Sequence, residues 1–152
     1  MAIAIATGLA ANAQDQIKKE LPVFMVENQS KLNFAQTIEH ISKTTAENSW
    51  KVLYIHDLQE IMTKNNKVVF PVKVMELCNP VLSYRILSVD KERYVTPMLP
   101  CRISVYEKSD GKTYISRLNA TAFAGFIGGE SGKTMEEAFD QIEKFISDII
   151  VK

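Results

Sequence analysis

The sequence predicts an α+β fold in the order strand, helix, four strands and helix, with a mostly antiparallel sheet and helices packed on one face. Two amphipathic segments, which begin after Ser30 and Thr134, place apolar residues at helical spacing and predict the long helices. Asp110-Gly111 lies between two alternating runs and is the strongest hairpin signal in the chain. Because no linker divides the chain, residues 15–152 are predicted to form a single domain.

The first elements follow from local residue chemistry. Residues 22–28 are a short run rich in β-forming residues and predict the first strand. Ser30 supplies an N-cap for the helix that follows. The second strand, residues 50–56, carries apolar side chains on both faces, which predicts a central position in the sheet. Asp57 then has the spacing of a capping box, so a short helix is expected over residues 58–64.

The middle of the chain contains the third strand and a helix start. Residues 68–78 predict a strand rich in Val, and its proline places the beginning of that strand at an edge or a bulge. Asn79 followed by Pro80 is a capping side chain with proline at the first helical position, which predicts a helix over residues 81–89. Residues 90–100 are broken by two prolines and are expected to be irregular.

The last elements are a hairpin and two helices. Residues 101–107 and 112–118 alternate on either side of the Asp-Gly turn and predict strands four and five. Asn119 can cap a short helix. The glycine-rich residues 128–132 predict a loop, after which Thr134 begins the last helix as part of a second capping box.

Composition excludes several classes of function. The 18 Lys and Arg residues balance the 18 Asp and Glu residues, so the chain lacks the positive charge of a nucleic-acid binder or of a polybasic membrane anchor. Two Cys are too few for a disulfide scaffold, and two His are too few for a His-rich metal cage. We therefore expect no nucleic-acid partner.

Residues 1–14 carry no charge and end in Ala11-Asn12-Ala13, a small-x-small pattern that signal peptidase accepts. They are interpreted as the remnant of a secretory signal peptide whose basic start is missing. The mature protein would begin near Gln14, in the periplasm or outside the cell, with no membrane association once the signal is removed. The alternative is an apolar N-terminal helix of a cytoplasmic protein.

The segment from Gly128 to Thr134 has the composition of a phosphate-binding loop, but its spacing is wrong. That loop needs four residues between its first glycine and the Gly-Lys-Thr, whereas only three follow Gly128. It also follows a predicted helix, although a strand should feed the loop. The sequence therefore predicts no nucleotide site.

The two cysteines define the candidate site. Cys78 closes the third strand and Cys101 opens the fourth, so in an antiparallel pair both lie at the same end of the sheet, with Cα atoms within about 10 Å. We expect two free, partly buried thiols, with Cys78 the more reactive because the helix after Asn79 points its N–H groups there. The predicted ligand-binding residues are Cys78, Asn79, Pro80, Cys101 and Arg102. No catalytic residue, metal ligand or cofactor is identified.

Three segments carry a family resemblance: residues 76–80 (Glu-Leu-Cys-Asn-Pro), residues 98–102 (Met-Leu-Pro-Cys-Arg) and residues 107–113 around the hairpin turn. In this order the chain resembles the Domain of Unknown Function 302 family over about residues 23–150. The resemblance implies a strand, helix, four-strand, helix fold and raises the expectation of a homodimer. It implies no activity.

Three functions remain open from the sequence. The first is a non-enzymatic exported module that binds a small ligand, a metal or a partner protein near the two Cys motifs. The second is a thiol-dependent redox or peroxide-handling enzyme that uses Cys78 and Cys101. The third is a purely structural dimer.

Overall fold

Five strands form one antiparallel sheet in the computed structural model, which describes residues 24–152. They are β1 Met25–Gln29, β2 Lys51–Asp57, β3 Val72–Cys78, β4 Cys101–Glu107 and β5 Thr113–Leu118. Their spatial order is β1-β5-β4-β3-β2. The predicted signal remnant at residues 1–14, and the first two residues of the predicted first strand, lie outside the described residues.

Within residues 24–152, five α-helices and one 3₁₀ helix accompany the sheet. They are α1 Phe34–Glu47, α2 Leu58–Lys64, α3 Pro80–Leu87, the 3₁₀ helix Asp90–Met98, α4 Ala120–Ile127 and α5 Gly129–Ile146. The predicted α+β class, with a strand, a helix, four strands and a final helix, is confirmed. Within residues 24–152, no helix combines the length and the apolar character needed to cross a bilayer.

The core lies between one face of the sheet and the long helices. In the middle of the central strands buried side chains alternate with more exposed ones, and the antiparallel register brings Met75 opposite Ile103 and Val105 opposite Ile115. The helices cover this inner face with apolar side chains, namely Ile41, Leu82, Ala138, Ile142, Phe145 and Ile146. Each long helix therefore buries the apolar stripe that its sequence predicted.

Several helix starts have the predicted caps. The Asp57 carboxylate accepts a hydrogen bond from the Glu60 backbone N–H at 2.9 Å, and α2 covers residues 58–64 as expected. The Asn79 side chain accepts from the first turn of α3, whose first residue is Pro80. Asn119 caps α4 as predicted. These caps depend on residues close together in sequence, which is why the sequence predicts them well.

The predicted central position of the second strand is wrong. β2 lies at one end of the sheet order and pairs with β3. Its register shifts between Val52 and Tyr54, so the strict alternation of faces is lost there. Leu53 and Tyr54 are 52% and 60% exposed. Apolar residues on both faces therefore reflect a bulged edge strand rather than burial on two sides.

The first long helix begins at a different cap from the predicted Ser30. The Asn33 side chain accepts from the Gln36 N–H at 2.9 Å, and the Gln36 side chain accepts from the Asn33 N–H at 3.4 Å. The Ser30 hydroxyl instead lies 2.8 Å from the Thr37 hydroxyl inside the protein. Both residues suit a cap, and tertiary burial selects Asn33 for that role.

The predicted glycine loop and the Thr134 cap are also wrong. Helix α5 begins at Gly129, and Thr134 is a buried residue within it. Gly128 and Gly129 have φ of +65° and +59°, and they make the sharp turn between α4 and α5. The N-terminus of α5 contacts the Glu92 side chain from the 3₁₀ helix, a partner that local sequence does not reveal.

Three boundaries differ by smaller amounts. β3 begins at Val72, directly after Pro71, rather than at residue 68, because proline cannot donate to the strand ladder. Helix α3 starts and ends slightly earlier than predicted, at Pro80–Leu87. The region expected to be irregular forms the 3₁₀ helix Asp90–Met98, which accommodates Pro97.

Candidate functional site

A cavity of about 520 Å³ opens at the end of the sheet where β3 finishes and β4 starts. It lies between the sheet, helices α3, α4 and α5 and the 3₁₀ helix. Most of its wall is apolar, including Leu77, Leu82, Ile86, Met135, Ala138 and Ile142. Trp50, which immediately precedes β2, is also part of the wall. A mostly apolar cavity of this size is typical of a small-molecule site.

The local chain path creates this cavity. β3 ends at Cys78, and the Asn79 cap turns the chain directly into α3. The 3₁₀ helix then returns the chain to Cys101, where β4 begins beside β3. The segment between β3 and β4, which comprises α3 and the 3₁₀ helix, stands away from the strand ends. The cavity is the space between this segment and the sheet.

The sequence-predicted site residues divide into two groups. Asn79, Cys101 and Arg102 line the cavity, whereas Cys78 and Pro80 are not among its lining residues. Cys78 instead places its Sγ 3.4 Å from the Ser83 hydroxyl, and Ser83 does line the cavity. Cys78 therefore lies behind the cavity wall, in contact with the lining residue Ser83.

The two cysteines lie close together, as predicted. Cys101 pairs with Leu77 across β3 and β4, so the Cα atoms of Cys78 and Cys101 lie within about 10 Å. Both thiols are free and partly buried, which confirms the expectation of two unlinked cysteines. Because successive strand residues point to opposite faces, Cys101 shares the inner face with Leu77, and Cys78 leaves β3 on the other face.

The Cys101 thiol is held in its neutral form. Burial raises its pKa to about 11, and the neighbouring Cys78 contributes in the same direction. A buried neutral thiol behaves as a small hydrophobic group, and this suits the apolar wall of the cavity. It does not suit a nucleophile, because the thiolate is the reactive form.

A buried arginine was missed by sequence reasoning. Arg117 on β5 is 3% exposed and lines the cavity. Its guanidinium donates to both carboxylate oxygens of Glu143, at 2.5 and 2.6 Å, and to the Asn28 side chain at 2.8 Å. Its inward position could have been predicted from the alternation of side chains along a strand. Arg117 is two residues from Ile115 and must therefore point to the same face of the sheet.

Two side chains at the cavity wall bind the same amide. The Trp50 indole N–H donates to the Gln141 side-chain oxygen at 2.7 Å, and the Asn79 amide donates to the same oxygen at 3.5 Å. Gln141 thereby links the residue before β2, the start of α3 and helix α5. This shared acceptor fixes the apolar ring of Trp50 against the cavity and satisfies its polar edge.

The cavity also reaches the outer face of the sheet. Arg102 and Ser104 of β4 line it, although both alternate with the inward-facing Ile103. Beside them, Glu76 lies 3.1 Å from the His56 ring and 3.3 Å from the Arg102 guanidinium. The hydrogen bond from His56, followed by that from Arg102, lowers the pKa of the Glu76 carboxyl. Arg102 therefore brings a charged side chain to the cavity wall, and Glu76 neutralises that charge.

One residue of the cavity lining carries a buried hydroxyl that has no hydrogen-bond partner among the described residues. The Thr134 hydroxyl of α5 is fully enclosed, and no group in residues 24–152 bonds to it. Thr134 is 2% exposed and lines the cavity. Sequence reasoning assigned this residue to a helix cap and could not detect its position, which depends on where α5 begins.

The described residues contain no cluster of three or more His, Cys, Asp or Glu side chains with the geometry to hold a metal ion. The glycine-rich turn before α5 does not form a phosphate loop. The Glu92 carboxylate binds the Ser131 backbone N–H there, so a negative side chain already occupies the position that a phosphate would need.

The fold and the cavity define a small α+β domain with an apolar internal pocket at one end of an antiparallel sheet. The model of the family described as domain of unknown function DUF302 matches residues 26–149. The chain therefore belongs to the DUF302 family.

A solved structure shows the same fold. The chain is similar to the crystal structure of an uncharacterized conserved protein DUF302 from Bacillus stearothermophilus, with a TM-score of 0.75 and 19% sequence identity. The similarity covers 84% of this chain and 99% of the other. No curated protein sequence matches this chain.

Proposed function

We propose that the protein is a non-enzymatic binding module that holds a small, mostly apolar molecule in the cavity at the end of the sheet. The observation that carries this proposal is the cavity of about 520 Å³ with an apolar wall between the sheet and α5. Such a cavity disfavours water and favours an apolar guest, because burial of apolar surface is the main source of affinity.

The polar groups of the cavity support binding rather than catalysis. Cys101 is a neutral thiol, since burial raises its pKa to about 11. The Arg117 guanidinium is neutralised by Glu143 and is not available to polarise a substrate. Catalysis by acid, base or nucleophile needs a group poised to exchange a proton or to attack, and the interior wall offers none among the described residues.

Binding is tested with N-phenyl-1-naphthylamine, an uncharged probe whose fluorescence rises in apolar surroundings. We expect saturable binding of one probe per chain and a parallel change in the emission of Trp50, the only tryptophan of the chain. Trp50 lines the cavity, so its emission reports directly on occupancy. A probe signal that fails to saturate, or that leaves Trp50 unchanged, would contradict the proposal.

Two variants that replace an alanine by leucine locate the bound probe. Ala138→Leu places extra volume in the cavity wall and is expected to weaken the probe about tenfold. Ala35→Leu makes the same change at an exposed position of α1 and should leave binding unaltered. Ser83→Leu is a second filling variant, at a half-buried lining position, in case Ala138→Leu impairs folding.

The alternative function, a thiol-dependent redox or peroxide-handling enzyme, is favoured only by the proximity of Cys78 and Cys101. Against it stands the raised pKa of Cys101, which leaves little thiolate at neutral pH. Rapid consumption of peroxide by the reduced protein, with formation of a Cys78–Cys101 disulfide, would support this alternative. We expect slow consumption and no such bond.

We also propose that the protein is exported. The reason is that residues 1–14 carry no charge and contain the Ala11-Asn12-Ala13 pattern of a signal-peptide cleavage site. Expressed with its native upstream codons, the protein should appear in the periplasmic or culture fraction and start at Gln14 or Asp15. A cytoplasmic protein that retains Met1 would contradict export without affecting the cavity.

We also propose that the protein forms a homodimer, as its resemblance to the family implies. Size-exclusion chromatography with light scattering should then give twice the mass of the chain that is expressed, which is 17.1 kDa when all 152 residues are present. A mass of one chain at micromolar concentration would contradict the dimer.

A further inference from the structure

Helix α3 has apolar side chains on two opposite faces. Leu82 and Ile86 are buried and belong to the lining of the cavity. Val81, Tyr84 and Leu87 follow one another at intervals of three residues on the other side of the helix, where they are 66%, 71% and 44% exposed. A helix at a protein surface normally turns polar residues outward, so this apolar outer face indicates a contact surface.

Two further exposed apolar side chains lie on the segment that follows α3. Val89, between α3 and the 3₁₀ helix, is 38% exposed. Tyr94 belongs to the 3₁₀ helix, which packs against α3, and is 65% exposed. The five exposed residues are named the outer patch: Val81, Tyr84, Leu87, Val89 and Tyr94.

The size of the outer patch suits a dimer interface. Its five side chains together expose on the order of 400 Å². A standard interface buries about 800 Å² on each partner, of which somewhat more than half is apolar. The outer patch therefore supplies most of the apolar area that a stable dimer needs.

The charges beside the outer patch are paired within the chain. Each cationic side chain of α3 and of the 3₁₀ helix lies near an acidic one. The three ion pairs are Arg85–Glu137 at 2.6 Å, Asp90–Arg93 at 3.4 Å and Lys91–Glu92 at 4.0 Å. A two-fold dimer brings the same surface together twice, so an excess of one sign would repel itself. This balanced surface avoids such repulsion, and it offers no excess of positive charge to an anionic lipid surface.

Two other surfaces of the described chain suit a second copy less well. The edge strand β2 has a bulge between Val52 and Tyr54, and a bulge hinders regular pairing with another strand. The outer face of the sheet carries the ionisable side chains His56, Glu76 and Arg102. Charged residues are depleted at the centre of protein interfaces, so this face is a poor candidate.

We infer that a second copy of this chain docks on the outer patch, so that α3 lies between the cavity and the partner. The inference rests on the proposed homodimer, and it adds the surface through which the two copies meet. Leu82 and Ile86 then pack on the cavity side of α3, whereas Tyr84 lies near the centre of the interface. The apolar residues on both faces of this short helix are thereby explained.

The test is the molar mass of Tyr84→Glu, measured by sedimentation equilibrium. A dimer would bury the new carboxylate without a partner, so the dimer should weaken at least about thirtyfold. Tyr84 is largely exposed in the single chain, and far-UV circular dichroism should show a folded variant. Val81→Glu is a second variant, since a glutamate in the first turn of a helix is favourable, and it should also dissociate the dimer.

Tyr54→Glu is the matched control. It makes the same change at a similarly exposed tyrosine of the edge strand β2 and should remain a dimer. If Tyr84→Glu and Val81→Glu are folded and still dimeric, the inference is overturned while the homodimer stands. Dissociation by Tyr54→Glu, alone or as much as by Tyr84→Glu, would also overturn it.

The wild-type chain separates failure of the inference from failure of the proposed function. If it is a monomer at micromolar concentration, the homodimer fails and the inference falls with it. Sedimentation of that monomer with phosphatidylcholine vesicles, lost in Tyr84→Glu, would then assign the outer patch to a membrane. Saturable binding of N-phenyl-1-naphthylamine tests the cavity independently of either outcome.

Discussion

The Glu92 carboxylate accepts two hydrogen bonds from Ser131, one from the backbone N–H at 3.1 Å and one from the hydroxyl at 2.5 Å. Glu92 lies in the 3₁₀ helix, whereas Ser131 is in the first turn of α5. The first turn of a helix has N–H groups without intrahelical partners, and its dipole favours a negative charge. A carboxylate from 39 residues upstream therefore caps the longest helix of the described chain.

Glu92→Gln should lower the melting temperature at neutral pH, because the neutral amide cannot interact with the helix dipole as the carboxylate does. The hydrogen bond from the Ser131 hydroxyl, assisted by that from its backbone N–H, lowers the pKa of Glu92 below its ordinary value of 4.5. A lowered folded pKa stabilises the protein above pH 4.5, and this stabilisation is lost as the pH falls through the folded pKa.

Thermal unfolding measured between pH 3 and pH 7 tests this dependence. The wild-type melting temperature should fall more steeply below about pH 4.5 than that of Glu92→Gln, so that the two curves converge in acid. Glu39→Gln, at an exposed position of α1, should follow the wild type. Parallel curves for wild type and Glu92→Gln would contradict the role of the Glu92 charge.

Gly132→Ala should destabilise the contact between α4 and α5. A Cβ at this position would lie 2.6 Å from the Ala124 carbonyl oxygen, which belongs to the backbone and cannot rotate away. The helices would have to separate, at a cost of about 1–3 kcal/mol in the free energy of unfolding. Urea denaturation followed by circular dichroism measures this cost.

Gly125→Ala is the matched control for that substitution. Gly125 also lies in a helix, but an added Cβ there meets nothing within 4 Å. Replacement of a helical glycine by alanine should then stabilise the protein by about 0.5–1 kcal/mol. An equal loss of stability in both variants would show that close helix packing is not the cause.

Local chemistry explains how much of this fold could be predicted from the sequence. The Asp57 and Asn79 caps and the Asp-Gly hairpin each depend on a few adjacent residues, and their elements were predicted nearly to the residue. The start of α5 depends on Glu92, far away in sequence, so Thr134 was mistaken for a cap. Tertiary partners decide such positions, and a pattern read along the chain does not contain them.

The candidate site shows the same division. The proximity of Asn79, Cys101 and Arg102 could be predicted because strand ends and helix starts bring all three to one end of the sheet. The cavity itself was not predicted, since its volume depends on how far the excursion between β3 and β4 stands from α5. Arg117 was missed although its alternation with Ile115 directs it inward.

Glu143→Ala should be strongly destabilising because it leaves the buried Arg117 guanidinium without its counter-charge. Arg117 is 3% exposed and makes two hydrogen bonds to Glu143. The Glu143 side chain is 31% exposed, so water can partly replace its carboxylate, and the loss should be about 1–3 kcal/mol in the free energy of unfolding. The double variant Arg117→Met with Glu143→Ala removes the unpaired charge and should recover part of the loss. A double variant no more stable than Glu143→Ala would contradict this account.

The two thiols should differ in their reactivity. Iodoacetamide reacts with thiolates, and burial raises the pKa of Cys101 to about 11, so Cys101 should be labelled very slowly at pH 7.5. Labelling of the folded protein, mapped by mass spectrometry of peptides, should therefore occur first at Cys78. Cys78→Ser should abolish the faster phase, whereas Cys101→Ser should retain it.

The same experiment connects Cys101 to the cavity. At pH 9.5 more of the Cys101 thiolate forms, and saturating N-phenyl-1-naphthylamine should slow its labelling because the thiol lies on the cavity wall. The probe should leave the labelling of Cys78 nearly unchanged, since Cys78 is not among the lining residues. Equal protection of both cysteines would point to a general tightening of the fold, and unprotected labelling of Cys101 would place the probe elsewhere. A difference confined to Cys101 locates the bound molecule at the start of β4.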